Sequence, residues 1–340
     1  MIKNKTVFVL GAGASKPYGY PTGEELFKEV LRLEKHPGFL NFLNKAFPSH
    51  EVIALSGIRR TETKKKKTQH EFEKFIDELA NSGLVSVDSF IEKRQTHSAF
   101  CKFAIAYLLL EREWHNPSNT ALIENSDWYR YLFSKLLNGK SFEETLENNV
   151  SFITFNYDVS FDSFFTRALV HQYPNCDRGK YFSKNPIIHM HGNIRTSEFI
   201  KINELVDFTN VECAQKVLEF SKNINFYFES ASTEAIALAR KELSEAHNVF
   251  FLGFGFLPDN MDKLKVNWVN DLDGKHTNPL LTKYYGTAFG LEEAEAMKVL
   301  EDNKVPYNHN YPRGDSRRAK LELVDCDCLS LIKQNVTLLK

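Results

Sequence analysis

The sequence predicts an α/β protein: a six-stranded, mostly parallel sheet with helices on both faces and a large helical insertion. Three observations point there. A short apolar run, Thr6-Val7-Phe8-Val9-Leu10, stops at Gly11-Ala12-Gly13-Ala14-Ser15, as a buried strand does when it meets a tight loop. From residue 150 onward, strand-like and helix-like segments alternate, the rhythm of a parallel sheet covered on both sides. Between these regions lies a long stretch with helical spacing alone. The sheet and its glycine loop together read as Rossmann-like.

The first strand is expected over Lys5–Leu10. A helix follows from Thr22 to Leu33, with Thr22 as N-cap and Glu25 at the capping-box position. Arg59 to Lys67 (RRTETKKKK) reads as a basic surface loop or disordered linker. Glu71–Leu79, Ser89–Arg94, Ala99–Glu113 and Asp127–Leu137 place apolar residues three and four apart, as helices do. Val150–Phe155 is a strand and Asp158–Val170 a helix. A short strand covers Pro186–His189. Ser232–Ala246 is an amphipathic helix that leads into the strand Asn248–Leu252, which stops at Gly253-Phe254-Gly255-Phe256. Tyr284–Phe289 is a strand, Leu291–Asp302 a helix, and Lys320–Val324 the last strand. The predicted division is a core of residues 1–35 and 149–340, interrupted by a mostly helical insertion over 36–148.

Composition narrows the class. Lys+Arg at 43 nearly balance Asp+Glu at 44, for a net charge of -1. That argues against direct capture of nucleic acid by overall charge. The longest apolar run, Phe103 to Leu110, is far short of the ~20 residues a membrane span needs, so no membrane association is expected. The five cysteines, at 101, 176, 213, 326 and 328, form no CxxC pair. They predict neither a disulfide framework nor a four-cysteine zinc site, and with no signal-peptide pattern they point to a reducing cytoplasm.

Four polar or glycine clusters fall at strand ends, where an open α/β sheet forms its binding crevice. They are Gly11–Ser15, Thr154-Phe155-Asn156-Tyr157-Asp158, His189-Met190-His191-Gly192-Asn193, and Gly253–Phe256 with Asp259. Each has an ordinary structural use: tight turns for the glycines, helix capping for Asn156 and Asp158, packing for the histidines. A dehydrogenase fingerprint needs a third glycine where this chain has Lys16, and no GxxxxGK[ST] is present. His189 and His191 could share a metal from one strand face, but they have no nearby acidic or cysteine partner in sequence, and no metal is expected.

In their order along the chain these motifs resemble those of the sirtuin-like NAD-hydrolysing family, in its bacterial defence-associated branch. The resemblance rests on Gly11-Ala12-Gly13-Ala14-Ser15 with Gly19-Tyr20-Pro21, on Thr154-Phe155-Asn156-Tyr157-Asp158, and on His191-Gly192. Ser86-Val87-Asp88-Ser89-Phe90 and the late Gly253-Phe254-Gly255-Phe256 with Asp259 extend it. It runs from about residue 5 to about 290.

The resemblance implies NAD as substrate and cleavage of its nicotinamide–ribose bond. Gly11, Ala12, Gly13 and Ser15 would hold the diphosphate. Asn156 would position the nicotinamide ribose or the attacking water, and His191 would act as general base toward a ribose hydroxyl or that water. Pro21, Thr154, Asp158 and Gly192 would complete the NAD site, with Gly253, Gly255 and Phe256 on the adenosine ribose side. Asp158 or Asp162 could set negative charge near the developing cation, and Asp88 could orient the helical region. The family's deacylases carry a zinc ribbon with two CxxC pairs, absent from this sequence. The branch points instead to a regulated effector of anti-phage defence, homo-oligomeric, with room for a partner such as a DNA-translocating ATPase or a defence sensor. Two rival readings remain open: an NAD or ADP-ribose sensor or assembly subunit without turnover, and an NAD-dependent protein deacylase.

Overall fold

The structure is a computed structural model that describes residues 1–47, 60–194, 211–229, 233–266, 282–305 and 321–339, with the backbone alone over 60–66. The chain forms two compact units. One comprises Met1–Tyr20, Ser118–His191 and Ser230–Lys340; the other comprises Pro21–Pro117 and Gly192–Glu229.

The first unit carries the sheet. Its strands are β1 (Thr6–Leu10), β2 (Val150–Thr154), β3 (Ile187–His189), β4 (Asn248–Leu252), β5 (Lys283–Thr287) and β6 (Leu321–Val324). They lie in the order β3-β2-β1-β4-β5-β6, and every neighbouring pair is parallel. This is the predicted Rossmann-like sheet. The chain moves outward from β1 to β3, then returns to place β4 on the other side of β1. The crest between β1 and β4 is therefore the point where strand order reverses, the place at which this architecture binds its ligands.

Side-chain alternation explains both faces. Register sets Phe8 beside Phe152 and Phe250, and Phe250 beside Tyr285. Their rings stack at centroid distances of 5.5, 5.3 and 5.2 Å. Helix α9 (Ser160–Gln172) covers this ladder, with Phe161 and Phe165 4.7 and 6.0 Å from Phe152. Val7, Val9, Ile153, Val249 and Phe251 point to the opposite face. There they meet Ala239 and Leu243 of α12 (Thr233–Ser244), Met261 and Leu264 of α13 (Pro258–Leu264), and Ala296 and Leu300 of α14 (Glu293–Asp302). Each fully buried valine, isoleucine or phenylalanine among them is worth about 1.5–3 kcal/mol in transfer terms. The first unit also holds α1 (Ala12–Ser15), α7 (Trp128–Leu137), α8 (Phe142–Thr145), α10 (Arg178–Lys184) and α15 (Cys328–Gln334).

The second unit is helical: α2 (Gly23–Arg32), α3 (Pro37–Ala46), α4 (Arg60–Ala80), α5 (Val87–Lys93), α6 (Ser98–His115) and α11 (Val211–Ser221). The Thr22 hydroxyl and Glu25 carboxylate close the expected capping box at the start of α2. Phe39 sits 5.2 Å from Phe72 and 5.0 Å from Tyr107, tying α3, α4 and α6 into one core. This unit starts at Pro21 and takes in residues 192–229. Residues 118–148, which helical spacing alone had joined to the insertion, group with the sheet because α7 buries Trp128 against Phe161 of α9.

One local expectation is corrected. The basic run expected as a loop lies largely within α4, which begins at Arg60; Arg59 itself lies outside the described residues. Lysines are good helix formers, and i,i+4 pairs such as Lys74–Glu78 at 3.8 Å support the helix further on.

Candidate active site

The site grows from the β1–β4 crest. Gly11 N–H donates to the Leu252 carbonyl and Gly13 N–H to the Gly253 carbonyl, both at 3.0 Å. The loops after two adjacent strands thus lie backbone against backbone. A Cβ on Gly11 would stand 2.5 Å from the Gly253 oxygen. One on Gly253 would stand 2.1 Å from Ala14 N, and Gly253 also adopts a left-handed φ of 55°. Glycine is needed here first for this packing. The Thr287 hydroxyl, at the end of β5, accepts from Gly253 N–H at 2.8 Å and fixes the loop from the other side.

Ser15 is the hub of a buried polar network. Its hydroxyl accepts from the Asn156 amide Nδ2 at 3.0 Å and donates to Asp158 Oδ1 at 3.2 Å. Asp158 Oδ1 also accepts from the backbone N–H of Ser160 at 3.0 Å and from its hydroxyl. The Ser160 proton being committed to Asp158, the Tyr129 hydroxyl is the donor in its 2.7 Å bond to Ser160 Oγ. Burial raises the Asp158 carboxyl pKa, while the Ser160 and Ser15 hydrogen bonds lower it in part. Burial, aided by the Asp158 charge, keeps the Tyr129 phenol neutral.

This network sets the orientation of Asn156. With Nδ2 turned to Ser15, Oδ1 is turned elsewhere, and it is a buried acceptor without a hydrogen-bond partner among the described residues. Asn156 is only 8% exposed, so leaving that oxygen bare costs on the order of 1–3 kcal/mol. Orphaned buried acceptors in an otherwise satisfied network mark places where a ligand or water belongs.

The two histidines at the end of β3 have different partners. His189 Nε2 meets Asp162 Oδ1 of α9 at 2.9 Å. Burial disfavours its charged form, but the Asp162 carboxylate outweighs this, and the His189 pKa is raised. His191 is buried among rings, with Phe155 at 5.3 Å and Tyr157 at 6.1 Å, and its Nε2 lies 3.3 Å from Asn260 Oδ1 of α13.

The first unit therefore brings Gly11, Ala12, Gly13, Ser15, Thr154, Asn156, Asp158, His191, Gly253, Gly255 and Phe256 to strand ends at the carboxyl edge of one sheet. Thr154 acts inside its own loop, its hydroxyl accepting from Asn156 N–H at 3.1 Å. Phe256 is a core residue, 5.2 Å from Phe251 and 5.3 Å from Phe254, whereas Gly255 is exposed and open. Pro21, Asp88 and Gly192 belong to the second unit. There Gly192 has a left-handed φ of 68°, and a Cβ would meet the Asn223 carbonyl.

Sequence reasoning missed Tyr129 and Asn260, and read Trp128 simply as a core or interface anchor, which its full burial bears out. Trp128 Nε1 donates to the Ala14 carbonyl at 2.8 Å, pinning the glycine loop from α7. Tyr129 stacks on Tyr18 with centroids 3.6 Å apart. These contacts span more than a hundred residues and leave no local signal. Pro258 at the start of α13 was the one cue that a helix would carry Asn260 beside the late glycine loop.

Among the described residues, no group of three or more His, Cys, Asp or Glu side chains could hold a metal ion, and no helix is long and apolar enough to cross a membrane. A scan against protein-family models and a search of curated proteins find no match to this chain.

Proposed function

We propose that this chain is a sirtuin-like NAD glycohydrolase that converts NAD and water to nicotinamide, ADP-ribose and a proton. The observation that carries the reading is the Asn156 carboxamide, held by Ser15 with its buried Oδ1 left to accept a hydrogen bond. It sits at the strand ends of a parallel sheet whose order reverses at β1, where dinucleotides bind in this architecture.

The chemistry suits these residues. As water bonds to C1′ of the nicotinamide ribose, the C1′–N bond breaks and its electron pair leaves with the ring nitrogen. The pyridinium departs as neutral nicotinamide, so no acid is needed at the leaving group. The transition state is oxocarbenium-like, as in other glycoside cleavage. Asn156 Oδ1 accepts from the water or a ribose hydroxyl and so orients it. His191 takes the proton, a role that suits an imidazole near neutral pH. The buried Asp158 carboxylate orders Ser15 and Asn156 and places negative charge behind them. Backbone of the Gly11–Ser15 loop and the open Gly255 face the rest of the dinucleotide.

An unregulated NAD hydrolase would drain its own host. We therefore place the activity in a gated effector of anti-phage defence, controlled by self-assembly or by a partner protein. The test is nicotinamide release from NAD by the purified chain and its assemblies. Loss in both Asn156→Ala and His191→Ala supports the proposal. Activity that survives both overturns it, and tight NAD binding without turnover identifies a sensor instead.

A further inference from the structure

We propose that Asn260 is a positioning residue that fixes the tautomer and ring orientation of His191. The inference rests on the proposed role of His191 as the proton acceptor, but its first readout does not require turnover.

The argument begins with the atoms. An amide oxygen can only accept, so the His191 Nε2 that faces Asn260 Oδ1 at 3.3 Å must carry hydrogen. In the neutral ring the lone pair then resides on Nδ1, which becomes the basic nitrogen. The edges of Phe155 and Tyr157, each at 61° to the imidazole, restrict its plane. Rings alone do not distinguish the two nitrogens; the Asn260 carboxamide oxygen faces only one of them, Nε2.

Asn260 is well placed for this. Its N–H donates to the Leu257 carbonyl at 3.0 Å, in the first turn of α13. Met261 and Leu264 bury α13 against the sheet, and Arg240 of α12 donates to the Lys263 carbonyl at 2.8 Å. The preceding loop is held by Asn303, whose Nδ2 donates to the Phe256 carbonyl at 3.0 Å. A carboxamide on this platform orients the imidazole without adding charge beside it. A carboxylate in the same place would favour the imidazolium and weaken the base.

Among the described residues, the following titratable groups lie on the elements around His191. Tyr157 and Asp158 lie on the loop after β2, and His189 with its partner Asp162 lies at the β3 end. Asp259, Asp262 and Lys263 flank Asn260 on α13. None of these is replaced in the variants below, so a change in His191 titration reports on position 260.

The experiment follows His191 by histidine-detected NMR titration in the full chain, beside pH profiles of nicotinamide release. Asn260→Asp is expected to raise the His191 pKa by roughly one unit and to move the acid limb of kcat by the same amount, with activity recovering at higher pH. Asn260→Ala is expected to lower kcat about ten-fold across the profile with KM within about two-fold, because it loses orientation and not substrate binding. Melting temperatures equal to the parent's establish that both variants are folded. An unchanged His191 titration in Asn260→Asp overturns the inference. So does an active parent whose acid limb and kcat move in neither variant, a result that would leave NAD hydrolysis standing. A titration that shifts in a parent inactive toward NAD in every assembly state supports the pairing and refutes the hydrolase reading.

Discussion

Replacing Gly253 with alanine should cost this protein several kcal/mol, while the same change two residues later should cost nothing. At Gly253 two penalties combine. A φ of 55° disfavours any residue with a Cβ by about 1–2 kcal/mol. The new carbon would also stand 2.1 Å from Ala14 N and 2.3 Å from the Gly13 carbonyl carbon. These are backbone atoms and cannot rotate away, so the β1 and β4 loops must part. Overpacking of this kind adds about 1–3 kcal/mol, and parting strains the 3.0 Å bond from Gly13 N–H to the Gly253 carbonyl. The two terms total about 2–5 kcal/mol, a large share of the ~5–15 kcal/mol that holds a typical fold. At roughly 2 °C per kcal/mol for a large domain, the melting temperature should fall by ~4–10 °C. At Gly255 a Cβ meets nothing within 4 Å, so the change should stay within about 0.5 kcal/mol. Differential scanning calorimetry of the two variants reads the contrast directly. A Gly253→Ala protein melting within a degree of the parent, or a Gly255→Ala protein losing as much, would refute the packing argument. On the proposed function, Gly255→Ala should instead weaken NAD binding, measurable by calorimetric titration.

Asn156→Ala should abolish nicotinamide release by about a hundred-fold or more while shifting stability little, because it removes a group that already carries an unsatisfied acceptor; steady-state kinetics beside a melting curve checks both halves. Asp158 has a raised folded pKa, so the stability it contributes is present below its ordinary value of ~3.9 and is lost as pH rises through the folded value. Urea midpoints of Asp158→Asn should accordingly fall less with rising pH than the parent's over that window, and parallel curves would contradict it. His189 is raised by Asp162, so the pair should stabilise the fold below ~6.5 and lose that contribution as pH climbs through the higher folded value. Asp162→Asn should therefore destabilise more at pH 6 than at pH 9, again by urea midpoint. Tyr129→Phe keeps the ring on Tyr18 and loses the bond to Ser160, at a cost of about 1 kcal/mol by thermal or chemical denaturation.

Much of the fold was legible because its signals are local. Thr6–Leu10, Val150–Thr154 and Asn248–Leu252 are short apolar runs ended by turn-forming residues, and they became three adjacent interior strands. Thr22 and Glu25 announced their capping box three residues apart. The site was legible only as a set of strand ends. What each end touches depended on pairings across the chain: Gly13 with Gly253, Trp128 with Ala14, Ser15 with Asp158, His191 with Asn260. A glycine needed for a ligand and one needed for a neighbouring loop look alike in sequence; Gly255 and Gly253 are distinguished by what a Cβ would meet. The charged run before Lys67 carried no apolar periodicity of its own. Its helix continues into residues that do, with Phe72, Phe75, Ile76 and Leu79 buried in the second unit.

The central claim is that Asn156 and His191 serve the breaking of the nicotinamide–ribose bond. Its most direct test incubates the purified chain with NAD alone, in each oligomeric state it forms, and quantifies products by chromatography. The account predicts equimolar nicotinamide and free ADP-ribose without any acyl-lysine peptide, lost in His191→Ala and in Asn156→Ala. No nicotinamide from any assembly, or equal release by both variants, would contradict it.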